Sequence, residues 1–469
     1  MRQTRLIAGI DPATPDDRAP RRRRRLVFAA ALVLGAIGIV MAIDRLAPAP
    51  AAPAPAAAPA MRHGYGPATY AAALTRADED VLLGEERVAR EPAQWVFQEY
   101  LAQALLVRAQ LTGSFIDLAH ADAALAHGLA SAPPNTGPRL MAAIGAMTIH
   151  RLGEITALLD AHDTAVVPAG SAERAEVLAL RGDRAFYAGD IAAARRAYAA
   201  AMRIHAAAGI AVRLANLYRA QGEFAAAEAQ IAAALAMTKT PSRALHADLL
   251  LQQGAIRLSY GDWSGAQTLF AAADHLFPGN WRTQALLAQM AAVRGDTAGA
   301  EGLYRTILAG NPAEPPPEIM DALAALYRAG GNIAASRAWA DRAAARWATR
   351  MALLPEAAVG HALEHELVFG TPARALALAR QNVSARPYGD TNILLARALL
   401  QNGDPAAAVA VLARIAASGW RSADQYALLA QAQALLGHGD AADAAQARAL
   451  AINPRALDPA LPLLWFGTH

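Results

Sequence analysis

The sequence predicts an all-α fold, a solenoid of antiparallel helix hairpins, and three observations carry that expectation. A glycine followed by Asp, Glu, Asn or Thr recurs at Gly153, Gly189, Gly222, Gly261, Gly295, Gly331, Gly370 and Gly403, with spacings of 36, 33, 39, 34, 36, 39 and 33. A period in this range marks stacked helical hairpins. Hydrophobic residues make up 55% of the 469, alanine dominates and β-branched runs are scarce. That composition favours helix, and a chain of this length is too long for one compact unit unless it is a repeat array. Finally, apolar residues within each period recur at helical spacing.

The first elements lie outside the period. Residues 1–25 hold eight Arg and three Asp, ending in the run Arg21–Arg25. Leu26 to Ile43 are 18 residues without a charge, near the lower limit for crossing a bilayer. The positive-inside rule then places 1–25 as a basic cytoplasmic tail, 26–43 as a single transmembrane anchor and the following chain across the membrane. A cleaved signal peptide is the alternative for this segment. Residues 44–68 form a Pro/Ala-rich linker, with the run APAPAAPAPAAAP at 47–59. Where it is polyproline-like it extends by about 3.1 Å per residue. Residues 69–168 are expected to form degenerate hairpins. They comprise a leading helix over Tyr70–Arg90, a helix pair in Trp95–Ser131 ended by Pro133-Pro134, and a further pair in Arg139–Asp163. End units of a solenoid are commonly atypical because one side lacks a neighbour.

Residues 169–456 hold the regular units. In the unit around Gly222, Leu214, Leu217 and Tyr218 line the first helix. Gly222 ends it, Glu223 opens the second where a negative charge suits the helix dipole, and Phe224, Ala227, Ile231 and Leu235 continue the apolar face. Other units follow suit. A small residue stands five after the glycine (Ala194, Ala227, Ala266, Ala300, Ser336, Ala375, Ala408). A larger one often stands four beyond (Tyr198, Ile231, Phe270, Tyr304, Leu412), and a small one seven before (Gly182, Ala215, Gly254, Ala288, Ala324, Ala396). Pro278, Pro312, Pro387 and Pro454 close second helices. In the last unit Gly437 suits the turn better than Gly439. The spacings of 39 imply longer turns or helices at Lys239–Ser242 and Ala348–Pro355. Residues 457–469 form a terminal tail, whose Leu463-Leu464-Trp465-Phe466 is expected to fold back over the last hairpin, with docking on a partner as the alternative.

Across roughly 170–455 these small-residue positions, the aromatic at the hairpin contact and the closing Asn311-Pro312 and Asn453-Pro454 resemble the tetratricopeptide repeat family, in its membrane-anchored bacterial form. The resemblance implies a right-handed solenoid that binds a protein segment in a concave groove lined by the first helix of each hairpin. Counted from the turns, the candidate groove residues are Asn216, Arg219, Gln289, Arg328, His361, Glu364, Arg397 and Gln431. Lys239 is the only lysine, which argues against the lysine clamp for chaperone termini that some members use.

Chemistry is sparse. His361-Ala-Leu-Glu364-His365 matches the H-x-x-E-H string of a zinc hydrolase, with two histidines four apart on a helix and Glu364 as base. It lies in phase with the array nine residues before Gly370, where it reads as part of an ordinary hairpin. No phosphate-binding or dinucleotide motif is present. No catalytic residue, metal or cofactor is therefore expected, and no small-molecule substrate. Cysteine is absent, which excludes a disulfide framework. The net charge is +3 and residues 1–25 exceed that, so the remaining chain is slightly acidic and nucleic acid is not an expected partner. The expectation is a non-enzymatic scaffold or adaptor, single-pass in the inner membrane, with its solenoid in a bacterial periplasm. There it would bind a peptide or helix segment during assembly of a cell-envelope complex. A cytoplasm-facing regulator of a soluble partner is the alternative, and a zinc hydrolase a remoter one.

Overall fold

The computed structural model describes residues 63–311 and 313–466. The basic tail, the apolar span 26–43 and the linker up to residue 62 lie outside the described residues, as do Pro312 and residues 467–469. Among the described residues the regular structure is helical, with no strand. The succession is α1 (Tyr70–Arg90), α2 (Trp95–Thr112), α3 (Phe115–Ser131), α4 (Arg139–Thr148), α5 (Leu152–Asp163), α6 (Ser171–Tyr187) and α7 (Ile191–Ile204). Then come α8 (Ala208–Ala220), α9 (Phe224–Met237), α10 (Arg243–Ser259), α11 (Trp263–Leu276), α12 (Trp281–Val293), α13 (Thr297–Gly310) and α14 (Pro317–Ala329). The array ends with α15 (Ile333–Leu353), α16 (Pro355–Phe369), α17 (Pro372–Ala385), α18 (Gly389–Gln401), α19 (Pro405–Ala417), α20 (Ala423–Leu435) and α21 (Gly439–Ile452), followed by a 3-10 turn at Leu461–Leu463. From α6 onward each even-numbered helix pairs with the next to form a hairpin. Among the described residues no helix is long and apolar enough to cross a membrane.

The hairpin turn explains the glycine period. Gly189 has φ +82°, a left-handed conformation that glycine adopts without a Cβ clash. The Asp190 N–H then reaches back to the Ala185 carbonyl at 2.9 Å, the Schellman closure of α6. The same Asp190 caps α7, its carboxylate accepting from the Ala193 N–H at 2.8 Å. Two residues thus end one helix and start the next. Asp262, Asp296, Asn332 and Asp404 cap in the same way, at 2.8 to 3.1 Å. Each such cap contributes about 1 kcal/mol, more than a diffuse dipole effect on an exposed side chain. Glu223, one carbon longer, makes no side-chain cap and pairs with Arg195 at 3.5 Å instead.

Two steps of the period are corrected. Gly153 sits inside the first turn of α5. The left-handed residue of that hairpin is His150, φ +65°, and Arg151 N–H closes on Ala146 O at 2.8 Å. Gly370 has φ −94° and is not a left-handed turn; Thr371 caps and Pro372 opens α17 there. Gly437, φ +78°, makes the last turn. One long spacing is a loop at 238–242 and the other is the 21-residue helix α15.

The small and large positions of each unit fit one another. Ala194, Ala227, Ala266, Ala300, Ala375 and Ala408 are fully buried. A Cβ on Gly182 would meet the Tyr198 ring at 2.5 Å, and one on Gly254 would overlap the Phe270 ring. Between α6 and α8 a charged network is enclosed. Arg213, buried, donates to Asp183 Oδ2 at 2.9 Å and to Glu176 Oε1 at 2.7 Å. Tyr198 donates its hydroxyl to Asp183 Oδ1 at 2.8 Å.

The array also closes on itself. Residues about one winding apart touch: Gly64 N–H donates to Pro241 O (2.8 Å), Tyr70 N–H to Pro278 O (3.1 Å) and Arg421 N–H to Ala220 O (2.9 Å). Trp281 donates its indole N–H to Leu111 O at 2.8 Å. Phe186 and Tyr187 of α6 meet Tyr388 and Trp420 in an aromatic seam with centroid spacings of 5.0 to 5.9 Å. Burial, then the Arg386 charge, hold the His150 imidazole well below its ordinary value. It stays neutral and accepts from Arg386 Nη1 at 2.9 Å.

Candidate functional site

The site that the structure assembles lies on α12, α13, α14 and α16, and its occupant is the chain's own segment Leu457–Phe466. The sequence places that segment on the last hairpin, and the structure corrects this. The last hairpin is covered mainly by its own Tyr426, Ala449, Leu450 and Ala456. The winding brings Asn453 against Gly261, so the chain leaving α21 is delivered to α11–α14 of the preceding winding. Arg455 fixes the entry, with its guanidinium 4.4 Å from the Trp263 ring centroid and 2.9 Å from Asp458.

Gln289, on α12, is 0% exposed. Its amide makes a paired contact with one residue of the segment: Nε2 donates to Phe466 O at 2.9 Å and Oε1 accepts from Phe466 N–H at 2.9 Å. A buried primary amide must find both partners, and here both are main-chain groups. Leu461, Leu464 and Phe466 pack on the cluster of Phe270, Leu286 and Met290. Leu463 and Trp465 pack on the neighbouring cluster that holds Tyr304 and Leu326. Trp465 stacks on Phe369 with centroids 5.9 Å apart and planes 10° from parallel, an arrangement that aromatic quadrupoles favour when the rings are offset.

Arg328, at the end of α14, holds the same ring. Its guanidinium lies 4.3 Å from the Phe369 centroid and donates twice to Val368 O at 3.0 Å. Gln289 and Arg328 are thus the sequence candidates that the structure brings to one place. His361 and Glu364, on α16, bond each other at 3.2 Å, and His361 stacks on Trp347. His365 turns inward instead, to the buried Asp321 at 2.6 Å, so the two imidazoles of the H-x-x-E-H string serve different partners. Among the described residues no cluster of three or more His, Asp and Glu is placed to hold a metal ion. Asn216 and Arg219 are half-buried on α8. Arg397, on α18, pairs with Asp424 at 2.9 Å, and Gln431 is exposed on α20. Sequence reasoning missed Phe369 as a site residue, because its partner lies about 100 residues downstream.

Two half-buried acids on first helices add a pH dependence. Burial pushes Glu99 up to about 7, with the Glu173 charge adding to it. Burial likewise pushes Asp248 up to about 7, against the pull of Arg282. A folded-state value raised above the unfolded one means stability that is complete below about pH 4 and lost as pH rises through about 7. Asp248→Asn is therefore expected to leave stability at pH 4 unchanged. At pH 8 it should raise stability by on the order of 1–2 kcal/mol, discounted for partial exposure. Unfolding midpoints at the two pH values check this, and an equal shift at both contradicts it.

No family model and no curated protein matches this chain. Among solved structures, a tetratricopeptide repeat protein from Parabacteroides merdae is similar at 19% identity, covering 52% of this chain and 93% of that one, with a TM-score of 0.33. The APC/C hetero-tetramer Cut9-Hcn1 is similar at 13% identity over 82% of this chain and 93% of that one, TM-score 0.31. Naa15/Naa10 bound to HypK-THB is similar at 15% identity over 80% and 67%, TM-score 0.26. At these scores the fold assignment rests on this chain's own helices, turns and packing.

Proposed function

We propose that this chain is a membrane-anchored binding protein of the tetratricopeptide repeat type, a right-handed solenoid that holds a segment of a protein partner against the first helices of its hairpins. The observation that carries the reading is the paired contact of Gln289 with the Phe466 main chain. A buried side chain satisfied by another segment's backbone is suited to holding polypeptide whatever its sequence. The apolar span 26–43 behind five arginines supports an anchor with its basic tail cytoplasmic and the array periplasmic. The Pro/Ala run supports a spacer between the two. In that position the protein acts as an adaptor in assembly of an envelope complex, without chemistry of its own.

Mild crosslinking in cells, with a photoreactive residue replacing Arg328 or Arg397, is expected to capture an envelope protein. Recovery of none from either position overturns the binding reading. A reporter fused at His469 is expected to be active only outside the cytoplasm, and activity only inside it overturns the placement.

A further inference from the structure

Resting on that binding reading, we infer that the seat of Leu457–Phe466 is the partner site itself, and that this segment fills it as an internal stand-in. The partner it fits is a protein segment with the chemistry of residues 459–466: uncharged, with a short 3-10 turn leading into two adjacent aromatic side chains.

Each part of that description comes from a contact. The seat reads main chain through Gln289, whose amide accepts from and donates to a single residue of the occupant. That contact is to main-chain groups alone and says nothing of the side chain. Specificity comes from the two rings. Phe369 offers its face to Trp465 and is itself held by Arg328. Tyr304 meets Phe466 at 6.4 Å. The remainder of the seat is Phe270, Leu286, Met290 and Leu326, all buried, so a charged side chain there would be desolvated without a partner. From Pro459 to Phe466 the occupant carries no charge.

The fit of the internal segment is incomplete. The Trp465 indole N–H is buried and has no hydrogen-bond partner among the described residues, a cost that a well-matched ligand avoids. Residues 461 and 463–466 are half-buried rather than enclosed. What keeps the segment in place is its tether. Joined to α21 by a few residues, it faces its seat at an effective concentration on the order of millimolar. A separate partner must outcompete that, so access to the site is set by how well the internal segment binds.

The test uses the full chain and a fluorescent synthetic peptide of residues 457–466 as the probe. The chain carrying Trp465→Ala and Phe466→Ala is expected to bind the probe at least tenfold tighter than the unaltered chain. Adding Gln289→Ala to that variant should weaken the probe at least tenfold. Helical circular dichroism and the thermal melt report whether each variant folds. A second chain has a protease site inserted after Ala456; cutting it releases the segment with the array unaltered. The cut chain is expected to exchange its own segment for the probe.

Probe binding that does not improve in either chain, or that is indifferent to Gln289→Ala, overturns the inference. A dimer of the unaltered chain that Trp465→Ala and Phe466→Ala return to monomer shows the seat filled by a second copy, and overturns the internal assignment too. The binding reading fails separately. If crosslinking captures a partner but the seat does not take the probe, the inference alone is lost. If the probe binds as described and no partner is captured, the adaptor function is lost.

Discussion

Arg213→Ala is expected to destabilise the α6–α8 region by about 3–5 kcal/mol. The substitution leaves Asp183 and Glu176 facing each other without the guanidinium that both bond. Asp183 is enclosed, and burial already pushes its carboxyl up to about 6 with Arg213 opposing the shift. Without that opposition the Asp183 carboxyl favours the protonated form, so the loss should shrink as pH falls from 8 to 5. A deleted methylene stem would cost the same at both values. Replacing the set together, as Arg213→Met, Asp183→Leu and Glu176→Met, is expected to cost less than Arg213→Ala alone, since no charge is then left unpaired. Repeat arrays unfold in parts. Amide exchange across residues 171–220 is therefore the measurement, and a pH-independent loss contradicts the account.

The second large effect is at the packing pair Gly254 and Phe270. Phe270→Ala is expected to cost about 3–5 kcal/mol, because the ring is fully buried and the cavity cannot collapse between two helices. Gly254→Ala alone drives a Cβ into that ring and is expected to cost about 1–3 kcal/mol. In the Phe270→Ala background the sign should reverse. The added methyl then enters empty space, and alanine favours helix over glycine by about 1 kcal/mol. A double-mutant cycle of unfolding midpoints reads this coupling directly, and additive effects contradict it.

That pair also shows how much of the fold was legible. The sequence carries a small residue seven before the turn glycine and a large one nine after it, and the structure seats one on the other at Gly254–Phe270 and Gly182–Tyr198. Such pairing is local, within one hairpin, so its signature recurs with every period. The Gly-Asp turn is legible for the same reason, since one glycine and one cap complete it. The reading failed where another residue did the work. There His150 takes the left-handed position, its ring held by Arg386, 236 residues away, and nothing in its sequence neighbourhood announces that.

The candidate site divides in the same way. Gln289 and Arg328 were reached by counting from turns, because position within a hairpin fixes which face a residue occupies. What they do was not reachable. Gln289 meets the 457–466 segment directly and Arg328 meets Phe369, on which Trp465 stacks; that convergence depends on the small rotation that each hairpin adds to the last, summed over several units, and no single period records it.

The sequence by itself determined the helical hairpins, their turns and their internal packing, since each rests on residues fewer than about 40 apart and is repeated down the chain. The tertiary structure alone decided that successive windings touch and that the α11–α14 surface is covered by the chain's own closing segment. The hydrogen bonds of Trp281 to Leu111 and of Gln289 to Phe466 join residues 170 and 177 apart, and such contacts depend on the accumulated curvature of the array rather than on any local pattern.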